Sequence, residues 1–221
     1  SGRWRQFAVS KHGGDLLRSL QDQGRGCLML GAHLGSFELA RACAQEQAGV
    51  AINMLMYEDN ARKFNAALED LGVKGRMRII PIGGIEALLA AKERVDRGEM
   101  LGILGDRVVA NDKVVRIPFL GAPAVFPVGP ILVANALAVP VVLFFGLYRG
   151  GNRYEEHYEI FAERVALDPR NRQADLEKWV GRYAARLEHY CRLAPYNWFN
   201  FFDFWAQDGR SEARGVIRSA A

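Results

Sequence analysis

Cysteine is scarce: the 221 residues hold three, Cys27, Cys43 and Cys191, far apart and set in apolar or helical surroundings. That spacing excludes a disulfide framework and a paired-cysteine zinc site, and it fits a reducing compartment. No apolar run reaches the roughly 18 to 20 residues of a membrane-crossing helix, and nothing combines a basic start, an apolar centre and a small-residue cleavage site. The chain is therefore expected to be soluble or held at a membrane surface. It begins Ser1-Gly2 without methionine, which leaves room for an anchor upstream. Internal repeats, low-complexity stretches and blocks of like charge are also lacking, so nothing marks a second domain.

What is present is the composition of a globular protein, 50% apolar and 24% charged. A net charge of +4 and a pI near 9.1 favour an acidic partner: an anionic membrane surface, an acidic carrier protein or nucleic acid. No aromatic-interleaved nucleic-acid module is visible, so headgroups and carrier protein are preferred. The basic residues of the N-terminal segment (Arg3, Arg5, Lys11, Arg18, Arg25) and of the helix from Asn171 are mostly solvated faces.

Along the chain, strand-like and helix-like patterns alternate. Residues 14–23 read as helix, 27–30 (CLML) as a buried strand and 36–47 as helix. Residues 50–56 read as strand, 60–72 as a helix stopped at Gly72, 77–82 as strand and 84–97 as helix. There follow MLGILGD (100–106), a long loop through IPFLGAP, a helix near 128–137 and the run VPVVLFFGLY (139–148). Residues 153–165 are expected to pair as an antiparallel edge strand, and 171–193 to form a long amphipathic helix. The fold expected is α/β, one domain over residues 1–205 with a mainly parallel sheet flanked by helices, then a loose tail over 206–221.

The stretch LGAHLGSFELA (30–40) carries the chemistry. If a strand ends near Gly31 and a helix starts near Ser36, His33 lies in the turn at a strand's carboxyl end, where open α/β sheets bind ligands. Glu38 falls in the first helical turn, where the helix dipole favours a carboxylate by about 0.3 to 1 kcal/mol. An ionised glutamate can fix one imidazole tautomer and leave the other nitrogen a free base. The alternative is a histidine that ends a strand beside an acid that merely caps a helix.

Two other signatures are incomplete. The strand, turn and helix of CLMLGAHLGSFELA suit a nucleotide-binding unit, but G-x-G-x-x-G is absent, and Asn53 stands about where an acid would hold ribose. Ser36 follows Gly35 but precedes Phe37 and Glu38, so the G-x-S-x-G elbow of a hydrolase is unfinished. A non-catalytic lipid-binding module is a further alternative.

HLGSFE, followed in order by LGDR (104–107), IPFLGAPA (117–124) and AVPVVLFF (138–145), resembles the lipid A biosynthesis acyltransferases, a branch of the lysophospholipid acyltransferase superfamily. The resemblance spans roughly residues 15–205. It implies a glycerol-3-phosphate acyltransferase-like fold and an O-acyltransferase without metal or redox cofactor, moving a fatty acyl chain from acyl carrier protein, or acyl-CoA, to a hydroxyl of a lipid or glycolipid. It further implies His33 as general base, Glu38 as its orienting partner, and Gly35, Ser36, Asp106, Arg107, Arg116, Phe119 and Gly121 as substrate-binding positions. Asp106 would hold the site's geometry or an acceptor polar group, IPFLGAP would wall the pocket, and amides near Ser36 would hold the oxyanion. The implied location is the cytoplasmic face of the bacterial inner membrane, peripherally bound.

Two departures shape the acceptor. MYEDN (56–60) is acidic where the lipid A enzymes commonly carry Arg-Pro, and NWFNFFDFW (197–205) replaces a cluster of histidine and arginines. Arginine pairs bidentately with phosphate and glutamate does not, so a less charged acceptor than a phosphorylated lipid A precursor is expected. This fits the neighbouring branch associated with aryl polyene and other glycolipids. Six of the eight residues from Trp198 to Trp205 are aromatic, a segment expected either to close the core or to meet a membrane.

Overall fold

The computed structural model describes residues 6–36, 52–57, 78–82, 84–109 and 112–206. Its strands are β1 (Ala8–His12), β2 (Cys27–Gly31), β3 (Ile52–Tyr57), β4 (Arg78–Ile82), β5 (Met100–Leu104), β6 (Val114–Phe119), β7 (Ala122–Pro127), β8 (Val141–Tyr148) and β9 (Arg153–Ala162). Its helices are α1 (Gly14–Asp22), α2 (Ile85–Asp96), α3 (Gly129–Leu137) and α4 (Arg172–Leu193), followed by a 3₁₀ turn at Pro195–Asn197. The helices expected over 36–47 and 60–72, and most of the tail, lie outside the described residues.

Seven strands form one sheet in the order β1-β9-β8-β2-β5-β3-β4, in which only β8 and β9 pair antiparallel. The central strand β2 is buried on both faces, as strands covered by helices on either side must be. Alternation divides its side chains. Leu28 and Leu30 join the larger core, while Cys27 and Met29 join a smaller one with Leu17 and Leu20 of α1. β8 does the same, with Leu143 and Phe145 on one side and Val142 and Phe144 on the other.

The structure departs from the sequence pattern in three places. The IPFLGAP stretch is not a long loop: β6 and β7 form an antiparallel hairpin with Phe119 opposite Ala122. Its two connecting residues, Leu120 and Gly121, both have positive φ (50° and 89°), the geometry of a two-residue hairpin turn that matches strand twist. A leucine is costly there, and the Leu120 amide is held by Glu188 Oε2 of α4 at 2.6 Å. Second, β9 is not an edge, because β1 pairs beyond it in parallel. Third, β1 itself escapes a reading of apolar periodicity, since the inward position Lys11 is a cation that meets buried Glu156 at 3.6 Å. An inward charge on an edge strand discourages further pairing.

Candidate functional site

β2 and β5 are parallel neighbours, with Gly31 opposite Leu104 at their carboxyl ends. His33 and Asp106 each follow two residues later, so strand register alone brings them side by side at the mouth where α/β sheets bind ligands. The strand ends are locked together: the Gly31 carbonyl accepts the Gly105 amide at 3.0 Å and the Tyr183 hydroxyl at 2.8 Å. A Cβ at position 105 would crowd the Leu30 side chain at 2.9 Å and the Tyr183 ring at 3.2 Å, so glycine keeps the strand ends close.

Asp106 is completely buried and nearly saturated with donors. Its Oδ1 accepts from His33 Nδ1 at 2.8 Å, and the two oxygens take the His33 amide at 3.1 and 3.0 Å. Oδ2 also accepts the Trp198 indole N–H at 3.1 Å. With Nδ1–H donated to a carboxylate, the imidazole keeps its lone pair on Nε2, the arrangement a general base requires. Two neighbouring acids, Tyr183 and Cys191, stay uncharged. Burial, then the charge of Asp106, holds the Tyr183 hydroxyl well above its ordinary value, and burial, then Asp106 and Glu188, pushes the Cys191 thiol up to about 12.

His33 opens onto a cavity of about 430 Å³ walled by Met54, Leu55, Met56, Ile103, Pro130 and Val133, with Arg107 the cation among its described lining residues. Arg107 is positioned by the Phe199 carbonyl at 2.6 Å and Asn200 Oδ1 at 3.3 Å. Leu55, Ile82 and Val133 are shared with a second hollow of about 300 Å³ that runs between α2 and α3 over Ala87, Leu88 and Ala91. Its described lining residues are aliphatic side chains and one glycine.

Of the positions read from sequence, His33, Asp106 and Arg107 come together, with Gly35 and Ser36 just beyond. Glu38 lies outside the described residues. Arg116 is exposed on β6, Phe119 is sealed against Phe126, Trp198 and Phe204, and Gly121 sits at the hairpin tip, so none of the three lines the cavity. Of the amides near Ser36 expected to hold an oxyanion, two are committed elsewhere, Gly35 N–H donating to Asn197 O and Ser36 N–H to Gly146 O, each at 2.8 Å; those from residue 37 onward lie outside the described residues. Gly35 has φ +73°, and a Cβ there would lie 1.8 Å from the Gly146 oxygen.

Asn53 is buried and bonded to Glu99 Oε2 at 2.7 Å, so it serves the core rather than a ribose. Trp198, Asn197 and Tyr183 support the site and were not among the residues singled out by sequence. Only Trp198 gave a signal, as part of the aromatic run. That run divides: Phe204 is buried and Trp198 packs on it at 4.7 Å, while Phe201, like Tyr196 just before the run, is almost wholly exposed (90% and 95%). No helix among the described residues is long and apolar enough to cross a membrane.

No curated protein matches the chain significantly. The family profile described as bacterial lipid A biosynthesis acyltransferase matches residues 5–207, which include the His33–Asp106 pair, the cavity and the aromatic segment. The match takes in nearly the whole sequence, and the chain belongs to the bacterial lipid A biosynthesis acyltransferase family, enzymes that transfer acyl groups to lipid acceptors.

Proposed function

We propose that the protein transfers a fatty acyl chain from the thioester of an acyl carrier protein to a hydroxyl of a weakly charged lipid or glycolipid, with His33 as general base. The observation that carries this reading is the His33 Nδ1 to Asp106 contact of 2.8 Å at the mouth of an apolar cavity. Nε2 takes the acceptor's hydroxyl proton as its oxygen attacks the thioester carbonyl. The tetrahedral intermediate collapses, the C–S bond breaks, and the imidazolium returns the proton to the departing thiolate. Arg107 supplies positive charge for the developing oxyanion, and the adjoining hollow between α2 and α3, which shares Leu55, Ile82 and Val133 with the cavity, takes the acyl chain. Asp106 orients the imidazole; Glu38, five residues beyond His33, is the second carboxylate able to do so.

A carrier protein is favoured as donor because the chain is basic and carrier proteins are acidic. The acceptor is expected to lack clustered phosphates, since Glu58 and Asp59 stand where the lipid A enzymes commonly have arginine and proline. The exposed aromatic rings beside the His33 loop would seat the cavity mouth at a headgroup boundary, giving peripheral attachment to the inner membrane.

The test is incubation with carrier proteins loaded with different chains plus a bacterial lipid extract, following product masses beside a His33→Ala control. An acyl-sized mass gain that disappears in the variant supports the reading and identifies donor length and acceptor together. Neither transfer nor hydrolysis with any donor would overturn it.

A further inference from the structure

On the outer pair of strands, outside the lining of the cavity, β1 and β9 run parallel with His12 directly opposite His157. Side chains at paired positions share a face, and the two imidazoles stack with centroids 4.5 Å apart and planes 8° from parallel. Glu155 precedes His157 by two residues and so points to the same face. One donor atom from each of the three residues lies within 4.8 Å of the other two.

The Nε2 atom of His157 is buried and makes no hydrogen bond. It stands 3.5 Å from Glu155 Oε2. Tetrahedral zinc with ligands at about 2.0 to 2.1 Å separates them by about 3.3 to 3.4 Å, so this pair is almost at bridging distance already. His12 is exposed and can rotate to complete the set, which also provides an entry path. Arg149 Nε holds Glu155 Oε2 at 2.7 Å, but a carboxylate has two oxygens and about four lone-pair sites, so the arginine orients the ligand without exhausting it.

We propose that His12, Glu155 and His157 form a binding site for a divalent first-row transition ion of the zinc class, with water completing the coordination. Two imidazoles and one carboxylate suit that class better than calcium or magnesium, which prefer all-oxygen shells. Among the described strands β1 pairs with β9 alone, so a bound ion clips the edge strand to the sheet. None of the three residues lines the cavity at His33, and this inference stands independently of the acyl-transfer reading.

The test is calorimetric titration of the untagged full chain with Zn²⁺, with Co²⁺ absorption to report coordination geometry. The expected result is one saturable equivalent with Kd below about 10 μM, a raised melting temperature and a Co²⁺ spectrum of low coordination number. His12→Ala removes an exposed ligand and leaves the core intact, so it should fold normally, confirmed by circular dichroism, yet bind at least about ten-fold more weakly. Glu155→Gln should also weaken binding. Absence of a saturable equivalent in the native chain, or affinity unchanged in His12→Ala, overturns the proposal.

Discussion

Asp106 holds His33 twice, by ring and by backbone: Oδ1 accepts from Nδ1 at 2.8 Å while the His33 amide lies 3.0 Å from Oδ2. One carboxylate thus sets both the path of the loop and the imidazole tautomer. Asp106→Asn preserves shape but removes the charge and replaces one oxygen with an amide donor among the three N–H groups it faces, so the preference for Nδ1–H is weakened. The turnover number should fall about 10² to 10⁴-fold with KM little changed, measured with acyl carrier protein thioester in parallel with Glu38→Gln. If only Glu38→Gln is damaging, the orienting role passes to Glu38. Asp106→Ala should in addition lose stability, about 1 to 3 kcal/mol for each buried donor left unpaired.

The crossing of the His33 loop over β8 allows no side chain at position 35. A Cβ there meets the Gly146 carbonyl oxygen at 1.8 Å, and the φ of +73° is unfavourable for an L-residue. Gly35→Ala should cost about 3 kcal/mol or more, seen as a lowered denaturation midpoint, and should displace Ser36 from its bond to Gly146 O. By contrast, Gly121→Asn at the hairpin tip has open space and a residue tolerant of positive φ, so its effect should be small.

Glu188 makes part of the stability depend on pH. Its carboxyl is held below the ordinary value, first by the Leu120 amide and then by Arg192. A depressed folded-state pKa contributes stability above the unfolded value and loses it as pH falls through the folded one. Glu188→Gln should therefore lower the melting temperature near neutral pH, and the gap from the native chain should shrink on acidification to below the usual carboxylate range. A gap that is constant with pH would place the effect in packing instead.

The parallel sheet was legible from sequence because strands such as CLML and VVLFFGLY are apolar throughout, and such runs lie at the centre of doubly covered sheets. His33 was legible because a motif marks it. Its contact with Asp106 was not, since 73 residues separate the pair and only the β2–β5 register joins them. The hairpin was hidden because Leu120 takes a conformation normally reserved for glycine or asparagine. The His12–His157 pairing was hidden for a related reason: no periodicity announces a short edge strand whose inward side chain is lysine.

The aromatic segment carries the last prediction. Buried Phe204 and half-buried Trp198 close the core against Phe119, so substituting them should unfold the protein rather than report on membranes. Tyr196 and Phe201 are the opposite case, almost wholly exposed and close in sequence to Phe199, whose amide binds the His33 carbonyl at 2.9 Å. A ring inserted at the headgroup boundary contributes on the order of 1 to 2 kcal/mol, given about 1.5 to 3 for complete burial of a large apolar side chain. The double variant Tyr196→Ser, Phe201→Ser should therefore bind vesicles of mixed zwitterionic and anionic lipid at least about ten-fold more weakly, with an unchanged melting temperature. Flotation and thermal unfolding together decide the matter: undiminished vesicle binding removes the membrane role, and a lowered melting temperature assigns these rings to the fold instead.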